Sequence, residues 1–378
     1  MSLSILLAGD YPPDPTLGSA KVFYKLQEEF VALGHRCEIL FDDAIGAPRS
    51  RQIRQAVSPY YAGRAIARRM ARAKFDVLDI ASAEGLYVGL GNRLRRRQAI
   101  PFVCRSNGLE ALNYRRMIDD AAAGLTHKPW TRRLWYPLSR LTQVEWAARL
   151  ASRMLLLNPQ DYQFAVRQGW QTPDRIDVVP HGVSARYLDD RPREDAPRGE
   201  GLLFCGSWDH MKGIVYLAGC LERLHARGLR YPLTVLGPGV PEATVMRAFP
   251  EAVRPFVRVV PRAPEHEVIR LYRSHDALLW TSTYEGFGLV LLEAMSQRLA
   301  VITTPVGCAP ALVRDGENGL VVPPRDPAAL ASAAERLMGD APLRQRLGSA
   351  AACSVSAMTW RASAERTIEV YRRAIAEP

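Results

Sequence analysis

The sequence predicts an α/β protein with two domains, each built on a doubly wound parallel sheet. The chain has 378 residues, which allows two domains at roughly 150 residues each. Short apolar runs alternate with helix-length segments, and this alternation is typical of a parallel sheet. The alternation stops at a linker of proline, arginine and acidic residues, residues 189–201, and then restarts. A second domain of the same class is therefore expected.

The first domain is predicted over residues 1–184. A buried strand over residues 3–8 is followed by a loop rich in proline and glycine and by an amphipathic helix over residues 20–33, which Gly34 ends. Further apolar runs predict strands at residues 37–41, 77–80, 102–105, 154–157 and 176–179.

The second domain is predicted over residues 185–358. In two doubly wound domains that face each other, a ligand binds in the cleft between the carboxyl ends of the two sheets, and we expect such a cleft here. The strands of the second domain are expected at residues 202–205, 233–236, 257–260, 277–280, 300–303 and 320–322.

The composition excludes a disordered or fibrous chain, because 48% of the residues are hydrophobic and 24% are charged. The six cysteines are scattered, without a C-x-x-C pair or a Cys/His cluster, which argues against a disulfide framework and a structural zinc site. Residues 1–10 lack the basic start of a signal peptide, and no apolar run reaches the roughly 18 residues of a membrane span. We expect a cytoplasmic protein of enzyme size.

Positive charge is concentrated in the first half of the chain, which has a formal net charge of +11 as a whole. Residues 1–185 hold 26 Lys and Arg against 17 Asp and Glu, whereas residues 186–378 hold 24 against 22. Such asymmetry attracts anionic surfaces. The basic clusters consist of Arg49, Arg51, Arg54, Arg64, Arg68, Arg69, Arg72, Arg93, Arg95, Arg96, Arg97, Arg132 and Arg133.

Residues 60–72 predict a basic amphipathic helix, with Ile66 and Met70 on its apolar side. Two interpretations of this helix stay open: peripheral contact with an anionic membrane surface, driven mainly by charge, and an ordinary solvated helix. Nucleic acid is not expected as a partner, because the arginines are dispersed over several segments and form no recognisable binding module.

Residues 277–295 give the clearest indication of chemical function. A hydrophobic strand is followed there by a polar turn, by Glu285-Gly-Phe-Gly288 and by a helix. Backbone N–H groups at the start of a helix suit an anion such as a diphosphate. Glu285 and Glu293 lie eight positions apart. Because an ionised carboxylate accepts hydrogen bonds from two adjacent hydroxyls, one can hold a ribose diol and the other the hydroxyls of a sugar. The alternative is two glutamates on a solvated helix face.

This segment resembles the retaining glycosyltransferases of the GT-B fold, specifically glycosyltransferase family 4. The resemblance rests on E-G-F-G-L-x-x-x-E-A-M at residues 285–295 and continues through residues 304–324. It implies two Rossmann-like domains facing a central cleft, and transfer of a sugar from a nucleotide diphosphate sugar to a hydroxyl with retention. By the same resemblance, Glu293 holds the nucleotide ribose, Glu285 and the amides of Gly286, Phe287 and Gly288 hold the donor sugar, and the amides of Leu289 and Val290 hold the phosphates.

A second family element lies at residues 206–213, G-S-W-D-H-M-K-G. It resembles the family's G-R-L-x-x-x-K-G, in which an Arg and a Lys bind the diphosphate. Lys212 matches the Lys, whereas Ser207 stands where Arg is usual. No D-x-D metal motif is present, so protein cations and helix termini are expected to neutralise the leaving group, without a metal or another cofactor. The alternative for Lys212 is a solvated lysine that caps a helix.

In the first domain the resemblance is looser. Gly18, in the loop after the first strand, either lets a phosphate or an acceptor approach the backbone or is a turn glycine. Asn107 stands where the family often has a His that contacts the donor sugar, and it hydrogen-bonds but does not titrate near pH 7. A histidine in such a strand-end turn is more often structural, so a structural role is expected for His181. Arg105 either faces the cleft or ends its strand. Residues 359–378 resemble the helix that crosses back and completes the first domain.

The sequence thus predicts a retaining, metal-independent glycosyltransferase of glycan, glycolipid or cell-envelope polysaccharide synthesis. The expected partners are a nucleotide sugar and a glycan or lipid-linked acceptor. Two alternatives stay open: a nucleotide-sugar epimerase or hydrolase on the same fold, and a noncatalytic protein that binds a nucleotide sugar or a membrane surface. Peripheral attachment to the inner face of the cell membrane also stays open.

Overall fold

The computed structural model describes residues 2–15, 18–48, 50–94, 99–126, 130–189, 191–193 and 196–377. The chain divides into two compact units: unit 1 is Met1–His181 with Trp360–Pro378, and unit 2 is Gly182–Thr359. The domain limits expected from the sequence lie a few residues from these limits. Some basic residues singled out in the sequence lie outside the described residues, namely Arg49, Arg95, Arg96, Arg97 and the side chains of Arg51 and Arg132.

Unit 1 is built on a six-stranded parallel sheet in the order β2-β1-β3-β4-β5-β6. β3, β4 and β5 are buried along their whole length, as strands covered by helices on both faces are. The strands are β1 Ser4–Ala8, β2 Arg36–Leu40, β3 Val77–Ala81, β4 Phe102–Arg105, β5 Arg153–Leu156 and β6 Ile176–Val178.

Helices connect these strands, and the longer ones bury an apolar face. In α1 that face consists of Val22, Phe23, Leu26 and Phe30, spaced at the helical repeat. α6 and α7 are joined by a π-helical turn, Pro137–Leu141. The helices are α1 Gly18–Ala32, α2 Asp42–Ile45, α3 Arg51–Met70, α4 Leu86–Leu94, α5 Glu110–Ala122, α6 Trp130–Tyr136, α7 Thr142–Leu150 and α8 Pro159–Arg167.

Unit 2 repeats the architecture with a parallel sheet in the order β12-β11-β10-β7-β8-β9. Its core is lined by aliphatic side chains of the central strands, among them Leu202, Leu233 and Leu279. The strands are β7 Leu202–Cys205, β8 Leu233–Leu236, β9 Val257–Val260, β10 Ala277–Trp280, β11 Ala300–Thr303 and β12 Leu320–Val321.

Two helices of unit 2 begin at aspartate caps. Asp326 and Asp340 accept hydrogen bonds from the first amides of α15 and α16, and a proline follows each of them in the first turn. The helices are α9 Ala185–Asp189, α10 Ile214–Ala226, α11 Glu242–Met246, α12 Glu265–Ser274, α13 Leu289–Ser296, α14 Ala309–Leu312, α15 Pro327–Gly339 and α16 Ala341–Ser354.

The last helix, α17 Trp360–Ala376, belongs to unit 1 and is tied to its sheet by a buried polar cluster. Tyr371 of α17 donates its hydroxyl to Asp79 of β3, and the same carboxylate receives the Arg105 guanidinium of β4 at 2.5 Å. The side chains of Arg105 and Asp79 are 1% and 0% exposed. Arg105 therefore ends its strand in the interior and does not face a cleft.

His181 has a structural environment in unit 1. Its ring packs against the Trp360 ring at 5.2 Å between centroids, and the side chain is buried. Burial lowers the pKa of His181 to about 3, and the nearby Arg105 charge acts in the same direction. The imidazole is therefore neutral at physiological pH.

The helix predicted for residues 60–72 is found as the second half of α3. α3 begins earlier, at Arg51, and continues through Pro59. Ile66 is 1% exposed and lies in the core of unit 1, whereas Met70 is 36% exposed. Within the described residues, none of the helices combines the length and the apolar character that a membrane span requires.

Candidate active site

The loops after β7 and β10 lie side by side at the carboxyl edge of the unit 2 sheet. β8 and β9 extend the sheet on one side of β7, whereas β10, β11 and β12 extend it on the other. The order of the strands thus reverses between β7 and β10. In doubly wound sheets ligands bind at such a switch point, outside the carboxyl ends of the strands. Lys212 and Glu285 follow these two strands.

Lys212 and Glu285 form an ion pair that joins the two loops. Lys212 Nζ lies 2.5 Å from Glu285 Oε1, and the Ser282 hydroxyl donates to the same oxygen at 2.7 Å. The side chains of Lys212 and Glu285 are 20% and 9% exposed. Solvent screens so shielded a pair only weakly, so each charge holds the other in place. Lys212 is therefore not a solvated lysine.

Backbone contacts between the loops fix the position of Lys212. The Thr281 hydroxyl donates to the Lys212 carbonyl oxygen at 2.7 Å, and the Thr283 amide donates to the Met211 carbonyl oxygen at 2.8 Å. Gly213 has a φ of 72°, and a Cβ at this position would lie 2.0 Å from the Thr281 carbonyl oxygen. Only glycine allows both the left-handed conformation and this close approach.

The turn that leads into α13 is held in the same way. Gly288 has a φ of 105°, and a Cβ there would lie 2.4 Å from the Trp280 ring. On the other side, the Cys308 amide donates to the Phe287 carbonyl oxygen at 2.7 Å. A Cβ at Gly307 would lie 2.5 Å from that oxygen. Packing on both sides therefore fixes the direction in which the helix starts.

The first turn of α13 carries the amides of Leu289 and Val290. The Leu291 amide is the first to donate within the turn, to the Gly288 carbonyl oxygen at 3.0 Å. The two amides ahead of it precede the hydrogen-bonded ladder of the helix. The helix dipole adds partial positive charge at this end, which favours an anion.

Glu293 lies in the second turn of α13 and is 7% exposed. The Tyr272 hydroxyl is 3.4 Å from Glu293 Oε2 and 3.6 Å from Cys205 Sγ at the end of β7. Burial raises the pKa of the Tyr272 phenol, and the Cys205 and Glu293 side chains add to this effect. The phenol therefore keeps the proton that it shares with Glu293, and Glu293 is anchored close to the switch point.

The other predicted residues of unit 2 lie beside these. Gly286 and Phe287 run from Glu285 into the turn before α13, and Phe287 is buried. Ser207 is exposed in the loop after β7, where its carbonyl oxygen accepts from the Asp209 amide at 2.9 Å. Asp209 in turn caps the short helical turn that ends at Lys212. The stretches 207–212 and 285–293 thus surround one switch point.

Gly18 and Asn107 lie in unit 1. Gly18 is the first residue of α1 rather than part of a loop, and it is not among the glycines with positive φ. A Cβ at Gly18 would meet no atom within 4 Å, so neither conformation nor packing requires glycine there. Asn107 follows β4, and its Nδ2 donates to the Tyr11 hydroxyl at 3.5 Å.

A polar cavity of about 240 Å³ lies at the switch point of unit 1, where the loops after β1 and β3 meet. No motif in the sequence indicates this cavity. Its lining residues are Asp10, Tyr11, Arg54, Gln55, Ser58, Ser82, Glu84, Glu110, Tyr136 and Arg140.

Both arginines of this cavity are bound to carboxylates. Arg140 Nη1 lies 2.9 Å from Glu84 Oε1, and Arg140 Nε lies 3.0 Å from Glu110 Oε2. Arg54 pairs with Asp10 and, at 3.1 Å, with Asp42. The cavity therefore presents hydroxyls and carboxylates, while its guanidinium groups are already engaged.

Ser82 is strained at the edge of this cluster. Its φ of 48° lies in the left-handed region that residues other than glycine avoid, and strained residues of this kind collect at functional sites. Its hydroxyl donates to Glu110 Oε1 at 3.0 Å, and the Ser58 hydroxyl donates to Glu84 Oε1 at 3.0 Å. In the sequence, the indication that Ser82 and Glu84 belong to a site is their position directly after β3.

In the described ranges, no group of three or more His, Cys, Asp or Glu side chains is placed to hold a metal ion.

Known proteins match the part of the chain that contains the candidate site of unit 2. Residues 199–340 match the family model described as glycosyl transferases group 1. The D-inositol 3-phosphate glycosyltransferase of Frankia alni is 34% identical over 220 residues, which cover 54% of this chain and 54% of that protein. The chain spans about half the length of the curated relatives it matches.

Solved structures resemble the whole chain. Sucrose-phosphate synthase from Thermosynechococcus elongatus superposes with a TM-score of 0.79 at 20% identity and covers 100% of both chains. The Anabaena protein HepE, solved with UDP and glucose, superposes with a TM-score of 0.68 at 14% identity over 97% of this chain and 98% of that chain. The fold is therefore GT-B, with two Rossmann-like units, and the resemblance to GT-B glycosyltransferases inferred from the sequence is confirmed.

Proposed function

Because the chain has the GT-B fold and residues 199–340 match the group 1 glycosyl transferases, we propose that it is a glycosyltransferase. It transfers a sugar from a nucleotide diphosphate sugar to a hydroxyl group with retention at the anomeric carbon and without a metal ion. The reaction belongs to the synthesis of a glycan, a glycolipid or an envelope polysaccharide. The observation that carries this proposal is the shielded pair of Lys212 and Glu285 at the start of α13.

The diphosphate of the donor binds at the start of α13. The amides of Leu289 and Val290 donate to its oxygens, and the helix dipole favours its charge. Lys212 Nζ has N–H groups beyond the one bound to Glu285, and these donate to the leaving diphosphate and stabilise it as its charge develops. Ser207 supplies a hydroxyl at the position where an arginine would otherwise add charge. The solved complex of HepE with UDP supports a nucleotide as the ligand of this fold.

The two glutamates bind the two sugars of the donor. Glu293, buried beside Tyr272, accepts hydrogen bonds from the ribose hydroxyls. Glu285 keeps one oxygen bound to Lys212 and Ser282 and directs the other to the hydroxyls of the transferred sugar. Glu285 is not assigned as a covalent nucleophile. The departing diphosphate oxygen takes the proton of the acceptor hydroxyl on the face from which it leaves.

The acceptor binds in unit 1, in the polar cavity between β1 and β3. A volume of about 240 Å³ lies below the range of roughly 300–1,000 Å³ of pockets for drug-sized ligands, so it fits a single sugar ring. Carboxylates and hydroxyls accept hydrogen bonds from sugar hydroxyls, whereas a phosphate would be repelled by Asp10, Glu84 and Glu110, because these three negative charges outnumber the two arginines of the cavity. The acceptor moiety in this cavity is therefore uncharged. Asn107 supports it through Tyr11, by hydrogen bonding alone.

The proposal is tested by incubating the protein with a panel of nucleotide sugars, with and without neutral sugars and glycosides as acceptors. We expect nucleoside diphosphate to be released only when an acceptor is present. NMR of the product should show the same anomeric configuration as the donor. Conversion without an acceptor would identify an epimerase or a hydrolase. Tight nucleotide-sugar binding without any conversion would identify a noncatalytic binding protein. Turnover that stops with a chelator and returns with a divalent metal would contradict metal independence.

A further inference from the structure

Exposed apolar side chains are concentrated in the stretch of unit 1 that runs from α3 to α7. Of the twelve large apolar side chains that are strongly exposed among the described residues, ten lie between Ile53 and Trp146. Single exposed apolar residues are ordinary, but a group of this size marks an interaction surface. The ten, called here the α3–α7 face, are Ile53, Tyr60, Met70, Tyr87, Leu90, Leu94, Leu134, Trp135, Leu138 and Trp146.

The helices that carry this face pack against one another. A Cβ at Gly63 of α3 would lie 2.8 Å from the Tyr87 side chain of α4, and a Cβ at Gly89 of α4 would lie 2.5 Å from the Leu150 side chain of α7. These two glycines let the three helices approach closely. The rings of Tyr60 and Tyr87 meet edge to face at 5.6 Å. α3, α4 and α7 therefore form one layer.

On α4 the exposed side chains share one side of the helix. Tyr87, Leu90 and Leu94 are 45%, 40% and 87% exposed, and their spacing of three and four residues places them on a single stripe. An apolar stripe of this kind normally faces a core. In α4 the stripe faces away from the core, whereas Gly89 on the other side of the same helix is buried.

The charge of the same elements is almost entirely positive. Residues 51–70, 86–94 and 130–150 contain ten arginines and one acidic residue, Glu145. Four of these arginines are bound to carboxylates, namely Arg54, Arg69, Arg140 and Arg149, and four are exposed, namely Arg64, Arg68, Arg93 and Arg133. Arg64 is exposed and its guanidinium lies 5.7 Å from the centre of the Tyr60 ring, and Arg93 is exposed next to Leu94. Arginines around exposed aromatic and leucine side chains suit the boundary between anionic headgroups and acyl chains.

We propose that unit 1 docks on an anionic lipid bilayer through the α3–α7 face. Leu90, Leu94 and Trp146 enter the region below the headgroups, while Arg64 and Arg93 bind lipid phosphates. Charge complementarity favours a bilayer over a second copy of the chain, because two copies would bring arginine-rich surfaces together. This inference goes beyond the proposed function and does not depend on catalysis.

The test is co-sedimentation of the full chain with vesicles of equal parts phosphatidylglycerol and phosphatidylcholine, compared with vesicles of phosphatidylcholine alone. We expect binding only to the anionic vesicles, decreasing as salt rises from about 0.05 to 0.5 M. Leu94→Ser should lower the partition coefficient about tenfold. Arg64→Gln and Arg93→Gln should each lower it about fivefold.

Val31→Ser is the matched control, because Val31 is 57% exposed on α1, outside the α3–α7 face. It should bind like the wild type, and circular dichroism should give the same melting temperature for all variants. Equal binding to both kinds of vesicle, no binding, or an equal loss in Val31→Ser and Leu94→Ser would overturn the proposal. A lipid-free dimer in sedimentation velocity that Leu94→Ser dissociates would identify an interface between copies and would also overturn it.

Discussion

Replacing Lys212 by methionine removes the charge beside Glu285 while keeping the length of the side chain. Loss of one partner of a fully buried ion pair costs about 3–5 kcal/mol, whereas exposed pairs contribute about 0–1 kcal/mol. Because Lys212 and Glu285 are 20% and 9% exposed and 2.5 Å apart, we expect Lys212→Met to lower the free energy of unfolding of unit 2 by about 2 kcal/mol. Glu285→Gln should cost a similar amount.

The double variant should cost less than the sum of the two single variants, by about 1 kcal/mol, since the second change removes a charge that is already unpaired. Urea unfolding followed by circular dichroism measures this, with two transitions fitted because the two units can unfold separately. The midpoint for unit 2 should fall by about 1 M in Lys212→Met. Donor turnover should fall about 10²- to 10³-fold, as for loss of one group that stabilises the transition state.

Arg227→Met is the matched control for this comparison. The pair between Arg227 and Glu335 is 2.6 Å long, but both side chains are 44% exposed. Its loss should change the unfolding free energy by less than about 1 kcal/mol and leave turnover unchanged. Strictly additive single effects of Lys212→Met and Glu285→Gln, or equal effects of Lys212→Met and Arg227→Met, would refute the reasoning.

Three further changes test other parts of the structure. Gly288→Ala should destabilise unit 2 by more than about 2 kcal/mol and abolish nucleotide binding in calorimetry. The reason is that the alanine Cβ would lie 2.4 Å from the Trp280 ring, at a φ of 105°. A wild-type melting temperature in Gly288→Ala would contradict this prediction. Gly18→Ala should leave stability unchanged or raise it by up to about 1 kcal/mol in urea unfolding, since φ is not positive and space is open, while a raised acceptor KM would reveal substrate close to the backbone. Burial lowers the pKa of His181 to about 3 in the folded protein, so between about pH 3 and 6.5 the unfolded state binds a proton that the folded state does not. The contribution of His181 to the free energy of unfolding is therefore complete above about pH 6.5 and falls as the pH drops towards 3. An unchanged pH dependence of unfolding in His181→Gln would exclude this contribution.

The strands of the sheets could be predicted from the sequence because a central parallel strand is a short run of apolar residues between polar loops. For example, residues 102–105 and 277–280 were predicted as strands, and β4 and β10 have these limits. Helix limits were less accurate. Nothing in the local pattern requires α3 to begin at Arg51 and to continue through Pro59, because its packing against α2 and α4 decides this.

The contacts of the candidate site could be predicted only in part. Lys212 and Glu285 were chosen by resemblance, but their direct pairing depends on Gly213, which brings one loop against the other. The cluster around Arg140 carries no local signal, because its two carboxylate partners lie 56 and 30 residues away in the sequence. The sequence predicted Ile66 on the apolar side of its helix and left open whether that side contacts a membrane, and tertiary packing directs Ile66 into the core.

The most direct test of the account is calorimetric titration of the wild type and of Lys212→Met with a panel of nucleoside diphosphates and the matching nucleosides. We predict that one diphosphate binds the wild type, that its nucleoside binds at least about a hundredfold more weakly, and that Lys212→Met loses about tenfold or more in affinity for the diphosphate alone. Equal affinity of the wild type for the diphosphate and its nucleoside, or unchanged diphosphate affinity in Lys212→Met, would contradict the assignment of the phosphate site to the start of α13.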